Sequence, residues 1–216
     1  MRPTKNTLIL VFGFLCIYSC TPKKPVDREG FRQEKAAREL KRIVPADLML
    51  KGEELGEEIV SATASAYLNT LKRAIVENGI SGAIDFCQLS ASGITAGLQD
   101  SLGVTISRVT DKPRNPANVL SESDKAIWEA YAYVPENLDG QIQEYNAESL
   151  IYTKPITIGS TLCLNCHGQV GSDITPENYS LIKSRYPNDE AVNYEVGNFR
   201  GMWRIIIPKK AVVSKL

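Results

Sequence analysis

Over residues 53–78 the hydrophobic positions recur at spacings of three and four. Leu55, Ile59, Thr63, Ala66, Tyr67, Leu71, Ala74 and Ile75 form one stripe, the period of an amphipathic helix. Acids crowd its first turn, and Asn78-Gly79 reads as its stop. A second helix from about Ser81 sets Ile80, Ile84, Cys87 and Ala91 on one apolar face, so Cys87 faces a core or a cofactor. After Gly93 a third, short helix is expected to run to Gln99, with Leu102-Gly103 as its break. The pattern then changes to β-branched alternation over residues 104–109, a strand. Two prolines and two asparagines make residues 110–118 a fixed, extended loop. Residues 121–131 read as a helix with Ser121 as cap, Asp124 closing a capping box, and Ile127, Trp128 and Tyr131 as its face. Residues 141–145 and 149–153 form a predicted hairpin. Thr175-Pro176-Glu177 opens a helix that Tyr186-Pro187-Asn188-Asp189 ends. The last strand, 199–207, is expected to put Phe199, Trp203, Ile205 and Ile207 on one face and Arg200, Met202 and Arg204 on the other. This order predicts an α+β fold with a mainly antiparallel sheet, a long N-terminal helix and flanking helices.

The N-terminus follows a different pattern. Arg2 and Lys5 precede an apolar run over residues 8–18, and Ser19 precedes Cys20. Eleven apolar residues are too few for a permanent span, which takes about twenty; the pattern is an export signal. Ile17-Tyr18-Ser19-Cys20 looks like a bacterial lipobox, which makes Cys20 the expected lipidation site, with an ordinary secretory signal as the alternative. Residues 21–44 carry eight basic and four acidic side chains and read as a polar spacer running into a short helix. The expected organisation is therefore a signal over 1–20, a tether over 21–50 and one domain over 51–216, on the extracytoplasmic side of a membrane. Without the signal's two cations, 23 basic residues face 25 acidic ones, a balance that argues against nucleic acid as partner.

The chemistry concentrates at Cys163-Leu164-Asn165-Cys166-His167. Two thiols at this spacing can each add across one vinyl group of a haem, and the histidine that follows can bind the iron, which makes the run a c-type haem attachment motif. Rival uses are weaker. A thioredoxin-like dithiol needs the pair to open a helix after a strand, whereas Gly159, Ser160 and Gly168 suggest a loop. A Cys3His zinc site could recruit Cys87, but the paired-knuckle spacing is missing. A surface disulfide is the plain alternative. His167 is the single histidine of the chain, so any second axial ligand is not an imidazole. With Cys16 in the signal and Cys20 lipidated, Cys87 is a lone thiol in an oxidising compartment.

Taken together, these segments resemble the haem-binding family called DUF3365 or Tll0287-like, whose members carry a c-type haem on a PAS-like fold. The resemblance rests on Ala83-Ile84-Asp85-Phe86-Cys87, Arg108-Val109-Thr110 through Arg114-Asn115-Pro116-Ala117-Asn118, Lys154-Pro155-Ile156, residues 163–168, Tyr186-Pro187-Asn188-Asp189-Glu190-Ala191 and Gly197-Asn198-Phe199-Arg200-Gly201. It implies one covalent haem on Cys163 and Cys166, with His167 and Cys87 as axial ligands. Met202 is the rival sixth ligand, since methionine is the usual partner of histidine in electron-carrying cytochromes. Met49 lies near the tether, and a buried small hydrophobe is the plain role for Cys87. Arg108, Arg114, Arg200 and Arg204 are candidates to pair with haem propionates, Arg114 first among them.

Nothing in the sequence reads as an enzyme active site, since the one histidine is committed to iron and no nucleotide loop occurs. Two functions remain as expectations. The first is a lipid-anchored electron carrier serving a separate redox partner. The second is a redox or gas sensor that passes its signal to a separate protein.

Overall fold

A computed structural model describes residues 27–38, 43–134 and 137–216. The expected signal and lipobox, Cys20 included, lie outside these residues. The chain divides into two units, residues 1–42 and 43–216. In the first, α1 (Arg28–Arg38) is capped by Asp27, whose carboxylate accepts from the Gly30 N–H at 2.9 Å.

The second unit is built on α2 (Pro45–Leu102) and a four-stranded sheet of β1 (Thr105–Val109), β2 (Gln141–Asn146), β3 (Ser149–Thr157) and β4 (Phe199–Pro208). The strand order is β1-β4-β3-β2 and every pairing is antiparallel, as the strand pattern predicts. Shorter helices α3 (Lys125–Tyr133), α4 (Thr161–His167), α5 (Pro176–Arg185) and α6 (Lys209–Val213) flank it. Among the described residues no helix is long and apolar enough to cross a membrane.

The helical region differs from its expected form. α2 begins at Pro45 rather than at residue 53, and the three expected helices are one element with a single interruption. Gly79, at φ 69° and ψ −173°, breaks the helical path without ending it. A positive φ is open to glycine at little cost, so the expected stop became a kink. Gly93 causes no break, because a glycine in a helix only lowers its stability.

The predicted stripe does face inward. Leu55, Ile59 and Val60 pack with Leu150, Tyr152, Trp203, Ile205 and Ile207 in the main core, each large apolar side chain contributing about 1.5–3 kcal/mol on burial. Thr63 is fully buried and is satisfied by donating to the Ile59 carbonyl at 2.6 Å. Gly52 and Gly56 make this approach possible: a Cβ at Gly56 would enter the Tyr152 ring, and one at Gly52 would strike Leu150. Glu57, one residue on, accepts from the Tyr152 hydroxyl and from Lys154 Nζ, and these bonds hold its carboxyl below the usual range.

Met202 sits on the other face of the sheet, fully buried with Trp128, Tyr131 and Val109. Phe199 joins this cluster, packing on Trp128 with centroids 4.4 Å apart, and so does not share the face of Trp203 as expected. The register shifts between Ile156 and Thr157 opposite this end of β4, and a bulge reverses which face a residue meets. At the start of α3, Ser121 does not form the expected capping box: its hydroxyl donates to the Asp124 carboxylate at 2.6 Å.

A Gly56→Ala variant is expected to lose about 1–3 kcal/mol to overpacking against Tyr152, less up to about 1 kcal/mol regained in helix propensity. Urea denaturation measures the balance, and an unchanged or raised midpoint would contradict the close approach.

Candidate functional site

The Cys-x-x-Cys-His run is not the loop that Gly159 and Gly168 suggested. It forms the body of α4, which follows β3 after a three-residue connection. The glycines lie outside it, and the Gly168 N–H closes the helix on the Leu164 carbonyl at 2.9 Å. The strand-then-helix setting of a dithiol redox motif is thus present. The sheet is antiparallel throughout, however, and burial raises the Cys166 thiol pKa. Cys87, Cys163 and Cys166 are all free thiols. Among the described residues no group of three or more histidine, cysteine or acidic side chains converges as a metal site, so the Cys3His arrangement is not formed.

Main-chain and side-chain bonds pin the end of α4. The His167 carbonyl accepts from the Tyr194 N–H and the Gly168 carbonyl from the Asn193 N–H, both at 2.9 Å. The ring of His167 is fixed as well, with Nδ1 2.8 Å from the Ala191 carbonyl. A carbonyl only accepts, so Nδ1 carries the proton and Nε2 keeps its lone pair. The imidazole retains part of its exposure, yet burial lowers its pKa well below the ordinary value, and Arg114 and Arg200 add to the effect.

Arg114 organises this corner. Its Nε lies 3.0 Å from Asp189 Oδ1 and its Nη2 3.2 Å from Oδ2, while Nη2 also reaches the carbonyls of Cys166 at 2.5 Å and Ala191 at 3.3 Å. Asp189 has no exposed side-chain surface and accepts from the Ala191 N–H at 3.0 Å as well. The Glu190 N–H adds a bond to the Pro113 carbonyl at 3.2 Å. Three segments, 110–118, 163–168 and 186–194, are thereby locked together. Arg114, a candidate to pair with a propionate, has these protein partners.

The other sequence candidates fall in different places. Cys87 lies half-buried on the far half of α2, where Ile84 packs with Ile174 and Ile182 in a cluster that Cys166 joins. Burial raises the Cys87 thiol pKa while Arg108 and then Arg114 oppose it, and the Cys87 charge in turn acts on Cys166. The half of α2 that carries Cys87 thus packs, through Ile84, in the same cluster as Cys166. Met202 is not in this cluster. Arg108 lies over the Tyr67 ring at 4.3 Å and donates to its hydroxyl at 2.7 Å. Arg200 donates to Thr110 Oγ1 at 2.9 Å, and Arg204 pairs with buried Asp124 at 3.0 Å. Asp189, Ala191 and Tyr194 were missed as site residues; the Pro-Asn-Asp turn was read as a helix stop and as part of the family resemblance, with no role in the site.

A long kinked helix over an antiparallel sheet, with a Cys-x-x-Cys-His helix clamped at one corner, defines a mixed α and β class of protein. Within it, the chain belongs to the Tll0287-like family, whose model matches residues 32–208. The chain is also similar to the crystal structure of the cyanobacterial haem protein Tll0287, at a TM-score of 0.50 and 21% identity, over 72% of this chain and 95% of that one. Likeness at that identity shows a shared fold. No curated protein matches the chain.

An Asp189→Ala variant is expected to cost about 3–5 kcal/mol, because it leaves the Arg114 guanidinium without its carboxylate. Hydrogen exchange should report the loss locally, as faster exchange at the Asn193 and Tyr194 amides; protection equal to the parent protein would show that the clamp does not depend on this pair.

Proposed function

We propose that this chain is a haem protein holding one c-type haem through thioether bonds from Cys163 and Cys166, with His167 as an axial ligand. The observation that carries the reading is the hydrogen bond from His167 Nδ1 to the Ala191 carbonyl. It fixes the tautomer and orientation that iron ligation through Nε2 needs. The residues present fit the group in other ways. Cys163 and Cys166 stand three apart on α4, a spacing that puts both on one side of a helix, and both thiols are free. The membership of the Tll0287-like family and the haem protein that shares the fold support the same reading.

Cys87 is the second axial ligand in this proposal. What supports it over Met202 is neighbourhood: Cys87 lies on the half of α2 whose Ile84 packs in the same cluster as Cys166, whereas Met202 is packed against α3. When bound, the haem supplies one-electron ferric–ferrous chemistry. We take the protein to be exported, anchored by lipid on Cys20, and to pass electrons to a separate redox partner; the N-terminal pattern and the attachment motif support each other in this, since both belong outside the cytoplasm.

The second reading is a haem-based redox or gas sensor, and one feature favours it. The non-helical Gly79 separates the half of α2 that packs on the sheet from the half that carries Cys87, so a ligand exchange at Cys87 need not disturb the main core.

Replacing both Cys163 and Cys166 by alanine is expected to abolish covalent haem staining; normal staining of the double variant overturns the proposal. Electron paramagnetic resonance of the ferric protein is expected to show a low-spin signal of narrow anisotropy, from thiolate ligation, and Cys87→Ala to convert it to a high-spin or substituted form. A spectrum that Cys87→Ala leaves unchanged would transfer the role to Met202.

A further inference from the structure

Around His167 the polar groups do not balance. Three guanidinium groups act on its ring, those of Arg114, Arg200 and Arg108, and the fully buried Asp189 carboxylate is engaged by Arg114. Among the described residues neither Arg108 nor Arg200 forms an ion pair with a carboxylate, whereas Arg114 and Arg204 each do. A cation removed from water without a counter-charge is unfavourable. Arg200 is the more enclosed case, since burial depresses even its guanidinium pKa.

Tyr194 supplies an independent sign. It is 6% exposed, and its hydroxyl is a buried side-chain polar atom with no partner that meets full hydrogen-bond distance and angle; Arg200 and Thr110 are close enough to favour its ionised form against the effect of burial. Buried polar groups are nearly always satisfied, so an orphan calls for an explanation. The Tyr194 ring stands edge-on to His167, with centroids 6.4 Å apart at 82°. The Arg200 guanidinium is 5.3 Å from the same ring and Lys112 Nζ 5.4 Å. Asp111, the acid whose charge acts on Tyr194, is exposed and accepts from Thr110 Oγ1 at 3.4 Å. Arg200 thus has one N–H given to Thr110 and others free for an acceptor, next to a hydroxyl that can donate and beside the ring of the proposed iron ligand.

We propose that Arg200 and the Tyr194 hydroxyl form a carboxylate-binding subsite beside His167, which seats a propionate of the haem, the role for which the sequence made Arg114 the first candidate and Arg200 another. Arginine suits the group, because its planar fork offers two parallel donors to one carboxylate. The subsite rests on the haem reading above.

The test is resonance Raman spectroscopy and redox titration of the haem-loaded protein and of Arg200→Gln, Arg200→Lys and Tyr194→Phe. Hydrogen bonding to a propionate sets its bending band, so the band is expected to shift in Arg200→Gln and in Tyr194→Phe and to return part-way in Arg200→Lys. The midpoint potential is expected to fall in Arg200→Gln, because losing a nearby positive charge favours ferric iron. Tyr194→Phe removes an oxygen that has no partner of full hydrogen-bond geometry, and it decides the matter should Arg200→Gln fail to fold. Wild-type protein matured without covalent haem overturns the haem reading and the subsite together. Haem-loaded variants whose band and potential stay at wild-type values overturn the subsite alone.

Discussion

The ion pair between Arg114 and Asp189 is the contact on which the arrangement of the site depends. A buried pair of charges gains little over well-packed apolar groups unless its remaining hydrogen-bonding capacity is also met. Here it is met on both sides: Arg114 reaches the carbonyls of Cys166 and Ala191, and Asp189 accepts the Ala191 N–H. The guanidinium also lies at the C-terminal end of α4, where a cation favours the exposed carbonyl dipoles. Because the same Ala191 carbonyl orients His167, the imidazole's tautomer follows from a bond two side chains away.

The sheet and α2 set the stage for this corner. Gly52 and Gly56 allow helix and sheet to touch backbone to ring, and the Glu57 carboxylate ties the same turn to Tyr152 and Lys154. Beyond Gly79 the helix turns to a different partner. Ile84 meets Ile174 and Ile182, and Ser81 and Asp85 bond to Asn178 and Arg185 of α5. The exposed Asp85–Arg185 pair contributes little energy, so apolar contact around Ile84 holds this half down. β3 can carry Pro155 because β2 begins opposite Thr153, which leaves the stretch beyond it bonded on one side only.

Much of the fold was legible, for stated reasons. The stripe from Leu55 to Ile75 and the alternation in β1 and β4 have periods that only one kind of element satisfies, and Thr175 caps α5 by accepting from the Asn178 N–H as its position implied. The continuity of α2 was not legible, since Asn78-Gly79 serves equally as a stop or a kink and tertiary packing decides. The face of Phe199 was lost to a bulge, which no local pattern announces. In the site, the Cys-x-x-Cys-His run stood out because spacing alone carries its chemistry. The partner of Arg114 did not, because Asp189 lies 75 positions away and an acid in a Pro-Asn-Asp turn resembles any other.

The corner around α4 draws on Cys87 near the end of one helix, on the loop after β1, on α4 itself and on the turn after α5. Contacts so distant along the chain require large loops to close and therefore come late in folding. The α4 turn, by contrast, is made of neighbours. The Arg114–Asp189 contact closes a loop of 75 positions, so the segment that carries Cys163 and Cys166 can form its helical turn before the clamp that holds it.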